Sequence, residues 1–119
     1  MRLVVGGTLQ VNGPIAADGG SRTTSSNTRA SGGGAGGSLW VSAATLAGAG
    51  PMNARGGSVR ATLQGREAGA GAGGRIAVAA ATNSYTGALS VAGGVAYNSA
   101  GTSAVGASYQ GGAGTLVGP

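Results

Sequence analysis

The chain of 119 residues has no cysteine, no histidine, no lysine and no phenylalanine. Without cysteine there is no disulfide framework and no thiolate metal site. Without histidine, cysteine and lysine the usual nucleophile–base dyads cannot be assembled. The absence of lysine also rules out a Walker-type phosphate loop. Acids are nearly as scarce, since Asp18 and Glu67 are the only two. Two carboxylates could serve a glycosidase, but Asp18 falls in register with Arg55 and Glu67 lies in a variable segment. Calcium-binding repeats need an aspartate in every turn. The residue types therefore predict a protein that is not an enzyme and that has no cofactor and no metal.

Large apolar side chains are also few. Leu, Ile and Val together number 19, too few for a core of interdigitated bulky residues. Disorder would normally go with high charge, yet only 9 residues are charged. No stretch is long enough to span a bilayer. The apolar start Leu3-Val4-Val5 runs straight into Gly6-Gly7, so no targeting segment is read there.

What is present is glycine, 28 residues of it, about three times the usual share. The net charge is +5, and every cation is arginine. After Arg75 the last 44 residues carry no charge. Such a bias favours anionic polymers as partners; the plainer alternative is a solvated surface.

The chain repeats itself. Gly13-Pro14-Ile15-Ala16-Ala17-Asp18-Gly19-Gly20 recurs as Gly50-Pro51-Met52-Asn53-Ala54-Arg55-Gly56-Gly57 and as Gly87-Ala88-Leu89-Ser90-Val91-Ala92-Gly93-Gly94, each time 37 residues on. Gly36-Gly37-Ser38-Leu39-Trp40-Val41 matches Gly73-Gly74-Arg75-Ile76-Ala77-Val78 at the same offset, and Gly112–Val117 matches after three extra residues. Thr8, Thr45 and Thr82 form a third anchor. Within a repeat, a short alternating run (Leu39-Trp40-Val41) is followed by a small-residue corner, a second run at Thr45-Leu46 and a third after Gly-Pro at Met52-Asn53-Ala54. A polar, glycine-rich excursion comes next. Glycine interrupts every helical window, and period-two alternation points to strands.

Stacking the repeats aligns Ile15, Met52 and Leu89 in one apolar ladder, with Ala17, Ala54 and Val91 on the same face. Leu39, Ile76 and Leu116 form another, with Leu3 expected above them after a one-residue slip. Asp18 stacks on Arg55. The expectation is an all-β, parallel β-solenoid of three rungs of about 37 residues, spanning roughly 3–38, 39–75 and 76–116 within a single domain 1–119. The tracts Gly32–Gly37 and Gly69–Gly74 are expected to be extended or polyproline-II-like; flexible linkers are the alternative. Both tracts fit G-x-G-x-x-G, but they precede strands and no acid follows Glu67, which excludes a dinucleotide site.

Gly33-Gly34-Ala35-Gly36-Gly37-Ser38-Leu39-Trp40, followed by the Gly-x-x-x-Ala-x-Gly-Gly segment, resembles the glycine-rich repeats of very large secreted and cell-surface bacterial proteins of the parallel β-helix or adhesin type. Asn83-Ser84-Tyr85-Thr86-Gly87 is similar to an element of autotransporter passenger repeats. The resemblance covers almost the whole chain. It implies an extracellular or cell-surface location and a structural or adhesive role, and it carries no catalytic residues.

Candidate contact residues follow from phase. Arg29 and Arg66 are 37 apart, with Arg22 and Arg60 nearby, and together they could form a basic strip for an anionic glycan. Solvated charge is the alternative. Trp40 should point outward between inward Leu39 and Val41, where it would be either a carbohydrate contact or covered by its own excursion. The threonine rank is narrower than an ice-binding array, so ice binding ranks third. Surface polysaccharide and further copies of the chain are the expected partners; nucleic acid and a membrane span are not. The chain begins and stops inside a repeat, with one residue missing in the first. Further repeats on either side, or end-to-end stacking into a filament, are therefore expected.

Overall fold

The computed structural model describes residues 1–24, 31–61, 68–97 and 110–118. Among them there is no helix; ten strands and extended connections account for the backbone. The strands are β1 Arg2–Val11, β2 Ile15–Ala16, β3 Arg22–Thr24, β4 Ser38–Gly48, β5 Met52–Asn53, β6 Val59–Ala61, β7 Arg75–Tyr85, β8 Leu89–Ser90, β9 Ala96–Tyr97 and β10 Thr115–Val117. They form three sheets, ordered β1-β4-β7-β10, β2-β5-β8 and β3-β6-β9. Every pairing is parallel and joins one repeat to the next.

The sequence ladders are spatial ladders. Ile15 pairs with Met52 and Met52 with Leu89. Leu39 pairs with Ile76 and Ile76 with Leu116. Thr8, Thr45 and Thr82 lie side by side. The strands with neighbours on both sides bury their members most deeply: Leu46, Met52 and Ile76 are fully buried, and Leu39 and Val41 nearly so. Leu116 shares the Leu39 ladder but stays 47% exposed, because β10 is the outer strand of its sheet.

Two expectations are corrected. The runs Leu39–Val41 and Thr45–Leu46 belong to one continuous strand, β4, not two. The corner survives as a local irregularity: pairing with β7 skips Ala44 and Ala81, and the buried positions shift from Val41 and Ala43 to Leu46. Small side chains there let the backbone ladder continue, which keeps its donors and acceptors paired. The second correction concerns Leu3, which pairs with Val41 and not with Leu39. Between Val5 and Thr8, Gly6 and Gly7 stand where Ala44 stands alone in β4. The first repeat thus carries one extra residue, a β-bulge, and lacks none.

At the end of β4 the chain passes from the first sheet to the second. Gly48 has φ of 106°, a region that side chains disfavour, and a Cβ there would strike the backbone of Val11. The Gly50 N–H then donates to Val11 O at 2.8 Å.

Beyond the aliphatic ladders, part of the interior is backbone: Gly57, Gly71 and Gly94 are buried. The glycine tracts before β4 and β7 interleave with the Gly-Gly pairs that follow β2, β5 and β8. Gly34 donates to Gly20 O at 3.0 Å and accepts from Gly57 at 2.8 Å. Gly57 O accepts from Gly71 at 2.9 Å, Gly71 O from Gly94 at 2.8 Å, and Gly94 O from Gly111 at 3.0 Å. A Cβ on Gly57 or Gly71 would overlap the carbonyl of Gly20 or Gly34. These described tracts are therefore hydrogen-bonded elements of the fold and not linkers; Gly57, Gly71 and Gly94 are buried, while Gly20 and Gly34 are exposed.

Candidate ligand-binding groove

After the Gly-Gly pairs the chain runs into the third sheet, whose first two strands carry Arg22 and Arg60. Side-chain oxygens stitch the repeats together on the way. Asp18 Oδ1 accepts the Arg55 N–H at 2.7 Å. Ser21 Oγ accepts the Ser58 N–H at 3.0 Å, and Ser58 Oγ accepts the Val95 N–H at 3.0 Å. Each of these contacts spans 37 residues, so an oxygen-bearing side chain at this phase replaces a backbone acceptor. At the far side of the sheet the Gln110 side chain does the same for β9. Its Nε2 donates to Ala96 O at 3.1 Å and its Oε1 accepts the Ala96 N–H at 2.9 Å.

Two adjoining depressions lie along this line. One, of about 210 Å³, is lined by Ser21, Arg22, Thr23, Ser58, Val59, Arg60 and Tyr97. The other, of about 270 Å³, is lined by Asp18, Gly19, Ser21, Arg55, Gly56, Ser58 and Gly93. Ser21 and Ser58 line both. In the third sheet Arg60 pairs with Thr23 on one side and with Tyr97 on the other, and Arg22 pairs with Val59.

The Asp18 carboxylate also receives Arg55 Nη2 at 3.1 Å. The Arg55 N–H, more than its guanidinium, holds the Asp18 carboxyl below its ordinary value against the opposing effect of desolvation. Both partners are well exposed, so the pair contributes less than about 1 kcal/mol. Its larger consequence is local: the acid at this end of the groove is already neutralised.

The structure brings Arg22 and Arg60 to one groove. Arg29 and Arg66, the other half of the expected strip, lie outside the described residues, as does Glu67. Trp40 points outward as expected, 39% exposed. Arg2 lies over it, with the guanidinium carbon 4.0 Å from the ring centre. Arg2 and Trp40 are register partners in adjacent strands, a relation hidden by the Gly6-Gly7 bulge. Tyr97 and the two serines are groove residues that the sequence reading passed over. The 37-residue spacing of Ser21 and Ser58 was the available signal.

No protein-family model matches the chain, and no curated protein and no solved structure matches it.

Proposed function

We propose that the chain is a parallel β-solenoid repeat module with a structural and adhesive role in an extracellular or cell-surface protein. The observation that supports this most directly is the register. The 37-residue offset holds in the second and third sheets throughout, and in the first sheet from β4 to β7. A fold with that property grows by adding repeats, because each repeat buries its faces only against its neighbours. The bacterial surface repeats that the glycine motifs resemble make an extracellular setting the natural one.

Insertion of a second copy of residues 38–74 after Gly74 tests the architecture. The enlarged chain should keep its β-type circular dichroism per residue. It should also unfold at a higher denaturant concentration and lengthen by one strand spacing, about 4.8 Å, in small-angle scattering. An aggregated or unfolded product would refute the solenoid. The adhesive role is read separately, by displaying the chain on an inert cell and measuring retention on polysaccharide-coated and bare surfaces. Equal retention of displaying and bare cells would refute it.

A further inference from the structure

We propose that the groove over Ser21, Ser58, Arg22, Arg60 and Tyr97 binds an acidic polysaccharide, with a uronate-type carboxylate on the arginines and a sugar ring laid against Tyr97. Four features converge on that ligand. The first is charge. Arg22 and Arg60 are exposed on neighbouring strands and line the same depression. Guanidinium forks match the planar geometry of a carboxylate.

The second is the aromatic. Tyr97 is half-buried and is the register partner of Arg60, so the two side chains leave neighbouring strands whose backbones lie about 4.8 Å apart, and both line the same depression. An amphipathic ring with an apolar face suits the C–H face of a sugar. The third is the floor. Ser21 and Ser58 use their oxygens to accept backbone N–H groups, and among the described residues neither hydroxyl proton has an acceptor, so each can donate to a ligand oxygen. The fourth is the silenced acid. Asp18 faces the adjoining depression but is held by two donors of Arg55, so it does not repel an anion.

The same features argue against a nucleic acid as occupant. Phosphate-backbone binding draws on many regularly spaced cations, and stacking needs a series of aromatic platforms. Among the described residues this groove has two free-standing arginines and one ring. The proposal requires only adjacent repeats, so it does not depend on the chain being a module of a longer stack.

Isothermal titration of the full chain tests it, using a galacturonate hexamer, a neutral glucose hexamer and a single-stranded DNA dodecamer as probes. The galacturonate oligomer should bind, the neutral one should not, and high salt should weaken the uronate complex. Arg60→Gln and Tyr97→Ala should each weaken binding at least about tenfold, while Tyr97→Phe keeps it within about twofold. Circular dichroism reports whether each variant folds. Arg22→Gln, on the outer strand of its sheet, gives the arginine arm a second reading. Arg75→Ala, outside the groove, should leave binding unchanged. Failure of galacturonate to bind would overturn the proposal. So would full binding by folded Arg60→Gln and Tyr97→Ala, an equal loss in Arg75→Ala, or tighter binding of the DNA.

Discussion

The two halves of the interior are made of different matter. On one side Leu39, Val41, Leu46, Met52, Ile76 and Val78 pack as side chains. On the other, Gly57, Gly71 and Gly94 are buried as bare backbone, in a line of hydrogen bonds of 2.8–3.0 Å that runs out through Gly34 and Gly20 at one end and Gly111 at the other. The first half is held by removal of apolar surface from water, worth about 1.5–3 kcal/mol per fully buried large side chain. The second gains little from that source. It rests on peptide groups satisfied by one another at a distance that a single methyl group would prevent. Glycine also loses more chain entropy on folding than any other residue, so that half is held by its hydrogen bonds and close contacts against a larger opposing term. A chain with few large residues can still have an interior when half of it needs no side chains.

That contrast can be broken at Gly71. An alanine there places a Cβ into the Gly34 carbonyl, and the atoms it meets are all backbone of Gly34 and Ala35, which no side-chain movement can relieve. Gly71→Ala should cost at least about 4 kcal/mol, seen as loss of a cooperative urea transition. Gly7→Ala, where nothing lies within 4 Å, should stay within about 0.5 kcal/mol of the parent. If the two alanines cost the same, the glycine half is not packed as described.

The aliphatic half should respond by the opposite rule, to deletion and not to addition. Met52 is fully buried at the centre of its ladder, so Met52→Ala should cost about 3 kcal/mol in the same urea titration. A smaller loss would mean that the neighbours collapse into the space.

Between and outside the two halves the effects become small. The Asp18 carboxyl is depressed in the folded chain, so its contribution is complete above the unfolded value and is lost as pH falls through the folded one. Asp18→Asn should therefore lower stability at neutral pH by less than about 1 kcal/mol. The gap between variant and parent should close as the pH drops below 3.8; a gap that widened in acid would reverse the assignment. Smallest of all is Arg2 over Trp40, worth about 0.5 kcal/mol at an exposed site. Arg2→Ala should shift Trp40 fluorescence to longer wavelength with almost no change in the unfolding midpoint.

The legibility of the sequence followed the same division. The aliphatic ladders could be read because Ile15, Met52 and Leu89 announce themselves at fixed spacing, and period-two alternation has one physical meaning. The Asp18–Arg55 contact could be read from register alone. Three features were not legible. The third sheet is hidden because Arg22-Thr23-Thr24 and Val59-Arg60-Ala61 lack alternation and look like the start of a polar excursion. The first repeat misled because Gly6-Gly7 contains a bulge, and a residue count cannot distinguish an insertion on one side from a deletion on the other. The glycine tracts showed their phase but not their partners. Glycine carries no side-chain pattern, so hydrogen bonding between tracts leaves no trace except the spacing itself. The groove fell into this gap: Arg22 and Arg60 were singled out for charge, while Tyr97, Ser21 and Ser58 lay in segments without a recognised strand.

The backbone-on-backbone half of the interior also sets how the protein answers to temperature. Exposing apolar surface on unfolding raises the heat capacity, whereas exposing peptide groups lowers it. Melting the glycine half releases mainly peptide groups, so it subtracts from the increment that the aliphatic half supplies. The stability curve of this chain should be shallower than that of a domain of equal length with a conventional core. A shallow curve loses less on cooling, because less of the total depends on a driving force that fades in the cold. The glycines thus do more than make room. They trade strength at the optimum temperature for constancy across a wide thermal range.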